Sequence, residues 1–188
     1  PPQPQMGLSA AFGSRTDWET SQGANRFRRG IYTQWRRSNP YPSMAMFDAP
    51  NREVCILKRD RTNTPLQALV TLNDPAYVEA AQGLARRVIL YEQPMASEQE
   101  NVEKIVQYAL ARKPSEEERI ALLELYEFAL SLMKEQPDQA RMLATQPLGP
   151  APEGTDLLRL AAWTAVCNTI LNLDEFLMDC RELGVRGL

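Results

Sequence analysis

Between Arg61 and Asp74 the sequence reads RTNTPLQALVTLND, and this run dictates more local structure than any other of its length in the chain. Thr64-Pro65-Leu66-Gln67 has the order of a helix start. The Thr64 hydroxyl is placed to accept the Gln67 amide hydrogen, and the Gln67 side chain to accept the Thr64 amide hydrogen. Pro65 stands at the first helical position, where a missing N–H costs nothing. Leu66, Leu69 and Val70 supply an apolar face. Asp74 precedes Pro75, which disfavours helical backbone at Asp74 and stops the first helix there. Asp74 then serves as N-cap of a second helix that again begins with proline. The spacing predicts two helices meeting at a corner at Asn73-Asp74. Asn63 and Asn73 keep no capping duty and are candidate binding residues.

Past the corner, the punctuation predicts further helices. Pro75–Tyr91 turns Tyr77, Ala81, Leu84 and Val88 inward. Ser97 to Glu100 is a capping box opening a helix with Val102, Ile105, Val106, Ala109 and Leu110 on one face. Ser115 to Glu118 opens another, carrying Leu122, Leu125, Tyr126, Ala129, Leu130 and Met133 at helical spacing. A short helix over Pro137–Thr145 is expected next, followed by QPLGPAPEG (146–154) as a flexible or extended loop. Asp156–Leu173 is apolar almost all round, so it belongs in the middle of a bundle. Its polar stripe, Thr164, Asn168 and Asn172, needs partners once buried, and the Asn63/Asn73 corner is the expected one.

Ahead of the signature the chain is different in kind. From Arg26 to Arg61 there are nine Arg/Lys against Asp48, Glu53 and Asp60, whereas the residues after Val70 carry 11 basic and 19 acidic side chains. Such a split suits an acidic partner, a polyanion or the acidic half of the same chain. RFRRGIYTQWRR interleaves arginine with aromatics, and residues 27–37 fit either a strand or two helical turns. Arginine stacked with aromatics can serve nucleic acid, but the acidic pI of about 5.2 speaks against that use. Thr16 to Glu19 has the spacing of one capped turn. Pro40, Pro42 and Pro50 predict an irregular loop over Asn39–Arg59. The fold class expected is mainly α: a compact bundle of about five to six helices over 63–188, preceded by an irregular basic segment over 1–62 packed on it as one domain.

Histidine is absent from the sequence, which removes Ser-His-Asp triads, Cys-His dyads, His-ligated zinc and CxxCH haem attachment. Cys55, Cys167 and Cys180 form no CxxC, so they are read as three buried small apolar side chains, and no metal is expected. No stretch reaches the ~18 apolar residues of a membrane span. The chain begins PPQPQ without an initiator methionine or signal peptide, and is expected to be a piece of a longer protein.

Two function classes follow from the residues. One is a non-catalytic structural or interaction module, favoured by capped Ala/Leu-rich helices without a catalytic constellation. The other is a glycan-binding or hydrolytic domain on the basic segment, with Asp48 and Glu53 as the carboxylate pair of glycoside chemistry. In that reading Arg52, Arg59 and Arg61 bind an anionic sugar or sulfate group. Direct electron transfer ranks third, because this chain offers none of the usual haem ligands.

FRRGIYTQWRR, PSMAMFDAPNREVC, RTNTPLQALVTLNDPAYVEAA and LAAWTAVCNTILNLDEF together resemble a planctomycete-type domain of unknown function. That domain forms the C-terminal part of large exported proteins that also carry a cytochrome c domain. The resemblance implies a periplasmic or cell-surface location, the upstream domains of the same polypeptide as partners, and haem c held in another domain, with no cofactor in this chain. It brings no catalytic residues.

Overall fold

A computed structural model of the chain describes residues 21, 23–33, 41–50, 54–58, 62–92 and 96–177. Among them the architecture is mainly helical, without strands. The helices are α1 (Pro42–Met46), α2 (Pro65–Asn73), α3 (Pro75–Arg86), α4 (Glu98–Leu110), α5 (Glu116–Glu135), α6 (Pro137–Thr145), α7 (Leu157–Leu171) and α8 (Asp174–Leu177). Short 3-10 turns cover Gly23–Phe27 and Gly30–Tyr32, and a π-helical turn, Arg87–Glu92, prolongs α3. Within the strand-or-helix alternative for 27–37, Gly30–Tyr32 forms a 3-10 helical turn rather than a strand, and 34–37 lie outside the described residues. The expected capped turn at Thr16 to Glu19 lies outside the described residues.

Two compact units make up the chain. The N-terminal unit comprises Pro1–Val70 with Asp74–Ala76, and the helical unit comprises Thr71–Asn73 with Tyr77–Leu188.

The helical unit holds the core. α7 packs against α5, α6 and α4, so the helix that is apolar almost all round is the central one. Leu160, Trp163, Val166 and Ile170 on α7 are sealed from solvent, together with Ala81 and Val88, Val102 and Ile105. The Trp163 ring stacks on Tyr126 of α5 with centroids 4.4 Å apart. All three capping boxes form: Thr64 with Gln67, Ser97 with Glu100, and Ser115 with Glu118. The Asp156 carboxylate caps α7 by accepting the Leu158 and Arg159 amides.

Four expectations are corrected. First, α1 stands inside the segment expected to be irregular, because Pro42 occupies its first turn, where proline starts a helix rather than breaking one. Second, α2 is turned the other way from its apolar pattern. Leu66 and Leu69 are 51% and 56% exposed, while Gln67 and Thr71 are 3% and 0% exposed. Third, the 146–154 loop is not loose. The fully buried Gln82 side chain donates to the Leu143 and Gln146 carbonyls, both at 2.6 Å, and accepts the Leu148 amide. Buried Arg86 donates to the Ala144, Gly149 and Pro150 carbonyls. These bonds answer acceptors at the end of α6 that would otherwise be orphaned. Fourth, the α7 polar stripe meets α2 at Thr71 and Leu72. The Thr71 hydroxyl pairs with the Asn172 amide oxygen, and Asn168 donates to the Leu72 carbonyl at 3.0 Å. Thr164 stays on its own helix, donating to Leu160.

Candidate functional site

In the N-terminal unit the sequence candidate Asp48 has a backbone explanation. Phe47 caps α1, Asp48 follows with φ at +57°, and the Ala49 amide reaches back to the Met44 carbonyl at 2.9 Å. This is a Schellman ending with Asp48 at the left-handed position that glycine ordinarily fills. Aspartate is among the few residues that tolerate that conformation. Its side chain makes the position useful. The Asp48 carboxylate accepts the Thr62 amide at 2.8 Å and the Thr62 hydroxyl at 2.8 and 3.0 Å. Gln67 Nε2 donates to the Met46 carbonyl at 2.8 Å and lies 3.4 Å from Asp48. Asp48 therefore staples the end of α1 to the start of α2, and Gln67 serves as capping-box partner and cross-link at once.

A second polar group, Tyr41, Ser43 and Asp74, escaped the sequence reading. Ser43 Oγ donates to Asp74 Oδ2 at 3.2 Å, and Asp74 Oδ1 accepts the Ala76 amide at 2.8 Å as the N-cap of α3. Burial pushes the Tyr41 phenol up, Ser43 lowers it and the Asp74 charge raises it again, so it stays protonated near neutrality. A serine against a carboxylate that is already capping a helix has no base of suitable strength to activate it. One half of the signal, Asp74 as a cap, was present in the sequence. Nothing local linked it to Ser43, which lies 31 residues away.

Glu53, Arg52, Arg59 and Arg61 lie outside the described residues, so Asp48 is the one member of the proposed hydrolytic and anion-binding set whose surroundings are visible. Asn63 and Asn73 are both exposed, at the two ends of α2. Cys55 is exposed, contrary to the expectation of three buried thiols, whereas Cys167 is fully buried and burial pushes its thiol far up. Cys180 is outside the described residues. Among the described residues no group of three or more His, Cys, Asp and Glu side chains is placed to hold a metal ion. No described helix is long and apolar enough to cross a membrane.

In the helical unit one polar cluster surrounds Glu98, in the first turn of α4. Arg159 Nε and Nη2 lie 3.3 Å from its carboxylate, Asn101 Nδ2 donates at 3.1 Å, and the Tyr126 hydroxyl at 3.4 Å. Burial, followed by the Glu98 charge, raises the Tyr126 phenol. The cluster ties the N-terminal turns of α4 and α7 to the middle of α5. Its arginine is committed to a carboxylate and its tyrosine lies flat on Trp163, which leaves no group positioned for transfer chemistry.

The chain belongs to a family of proteins of unknown function, described as PSD1 (DUF1553), whose pattern matches residues 1–126. The match therefore takes in the basic segment, the corner signature and the helices as far as Tyr126 in α5. Neither the curated proteins nor the solved structures compared with the chain gave a match.

Proposed function

Taking membership of this family as the premise, we propose that the chain is a non-catalytic interaction module of a larger exported bacterial protein, with its N-terminal unit as the docking face. One observation carries this reading. The N-terminal unit ties Asp48, Thr62 and Gln67 to one another and leaves seven large apolar side chains exposed. Ile31, Tyr32, Val54, Ile56, Leu57, Leu66 and Leu69 are exposed, and Tyr41 is the buried apolar residue among its described positions. Apolar surface on that scale marks a region that another surface covers. The basic surplus over Arg26–Arg61 suits an acidic neighbour.

The resemblance to planctomycete-type exported proteins supplies the rest of the proposal. The neighbour is an upstream domain of the same polypeptide, at the periplasm or cell surface, and haem c belongs to another domain of it. The experiment is association of this chain with the separately expressed upstream region. Leu57→Asp with Leu66→Asp should weaken it at least about tenfold, the size of one lost apolar anchor. Glycan binding or hydrolysis by the isolated chain that disappears in a folded Asp48→Asn protein would instead establish the carboxylate-site reading.

A further inference from the structure

The charge cluster at Arg112 is not explained by docking of the N-terminal unit. Arg112 follows α4, just after Ala111 has ended the helix in a left-handed cap. All its N–H groups are used. Nε and Nη2 donate to Glu175 of α8 at 2.8 and 2.7 Å, Nη1 and Nη2 donate to Glu118 of α5 at 2.8 and 2.6 Å, and Nη1 also reaches the Lys113 carbonyl at 3.1 Å. One planar cation thus meets two carboxylates edge-on, a geometry that a lysine cannot reproduce.

The two arms differ in what else supports them. Glu118 is also the capping-box residue of α5, accepting the Ser115 amide at 2.7 Å, so that arm is built into a 20-residue helix. The Glu175 arm ends on α8, four residues with no buried member. So short a helix has no stability of its own. α8 packs against α4 and α7, with Leu173 and Phe176 still 40% and 39% exposed. Without Arg112, the Glu118 and Glu175 charges would face each other unshielded. Arg119 is no substitute, because it is paired with Glu116 and lies 3.9 Å from Glu103.

We propose that Arg112 is an electrostatic latch that makes docking of α8 conditional on ionic strength, so that Asp174–Leu177 is a charge-gated flap on the helical bundle. The side chains of Arg112 and Glu175 are 34% and 40% exposed, open enough for dissolved ions to compete for them. Screening shortens from about 8 Å at physiological salt to about 3 Å at molar salt. Opening the flap frees the covered parts of Leu173 and Phe176 and leaves α7 in place.

Amide hydrogen exchange on the whole chain tests this. At low salt, Arg112→Gln and Glu175→Gln should each speed exchange at 174–177 about fivefold, the upper end for an exposed ion pair. In the unaltered chain molar sodium chloride should do the same, and both variants should lose that salt response. Glu175→Gln keeps the α5 capping box intact, so its result stands even if Arg112→Gln disturbs the fold. Unchanged exchange in Glu175→Gln, an unaltered chain indifferent to salt, or loosening of 160–171 in step with 174–177 would overturn the latch.

Discussion

In the helical unit Leu160, Trp163 and Ile170 are withdrawn completely from solvent, while in the N-terminal unit Leu57, Ile31 and Val54 stand in it. Both units bury polar side chains, Gln82, Arg86 and Asn101 in the helical unit and Gln67 in the N-terminal one, but they use their polar groups differently. The helical unit puts much of its charge on surface pairs such as Arg87 with Glu92 and Arg119 with Glu116. The N-terminal unit turns Gln67 and the Asp48 carboxylate inward to tie α1 to α2. The first pattern is that of a region stabilised by its own apolar burial. The second is that of a region whose shape is set by specific hydrogen bonds and whose large apolar side chains stand largely in solvent. Hydrogen bonds contribute modestly when made but cost heavily when one partner is removed. The N-terminal unit should therefore be sensitive at a few polar positions and indifferent at its leucines.

Three measurements bear on that contrast. The largest effect is expected for Trp163→Ala, which should lower unfolding free energy by about 3–5 kcal/mol in urea titration. Leu57→Ser, at a position just as apolar, should change it by no more than about 0.5 kcal/mol. Comparable losses at both sites would break the comparison.

Next comes Arg86→Met, which keeps the volume but abandons three carbonyls. A loss of about 2–4 kcal/mol is expected, with rapid exchange and protease sensitivity appearing at 146–154. A loop that stays protected in this variant would mean that Gln82 alone holds it.

The smallest of the three is Asp48→Ala, at about 2 kcal/mol from lost charged hydrogen bonds and a left-handed alanine. It should be visible as faster exchange at 43–49 and 62–67. Asp48→Asn should retain most of the protection, because asparagine accepts the same backbone geometry. Equal damage from alanine and asparagine would point to the negative charge itself rather than to the Schellman ending.

What the sequence made legible, and what it hid, follows from the range of each interaction. Thr64, Ser97 and Ser115 announce their helices because a capping box is complete within four residues. α6 and α7 were legible for similar reasons, through Pro137 and Asp156 at their starts. The orientation of α2 was not. Leu66 and Leu69 lie on one side and Gln67 and Thr71 on the other, and periodicity says that the sides differ without saying which one is covered. Asp48 was hidden because its place in the chain usually takes glycine, so a carboxylate there reads as chemistry. Gln82 and Arg86 were hidden because their partners lie about sixty residues on, beyond any window in which pattern operates. Of the candidate carboxylates only Asp48 lies among the described residues, and there it anchors a turn.

The bond between Thr71 and Asn172 joins residues 101 positions apart, and the central helix α7 is made after α2 to α6. At about 5–20 residues per second, some 5–20 s of synthesis separate the emergence of α2 from that of the helix that secures it. During that interval α3 to α6 have left the ribosome without the element their apolar sides are shaped to surround. Truncation within α7 should therefore yield a chain prone to association rather than a smaller folded one. The capping boxes take on a second value in this light: they hold each helix in register locally while the centre of the bundle is still to come.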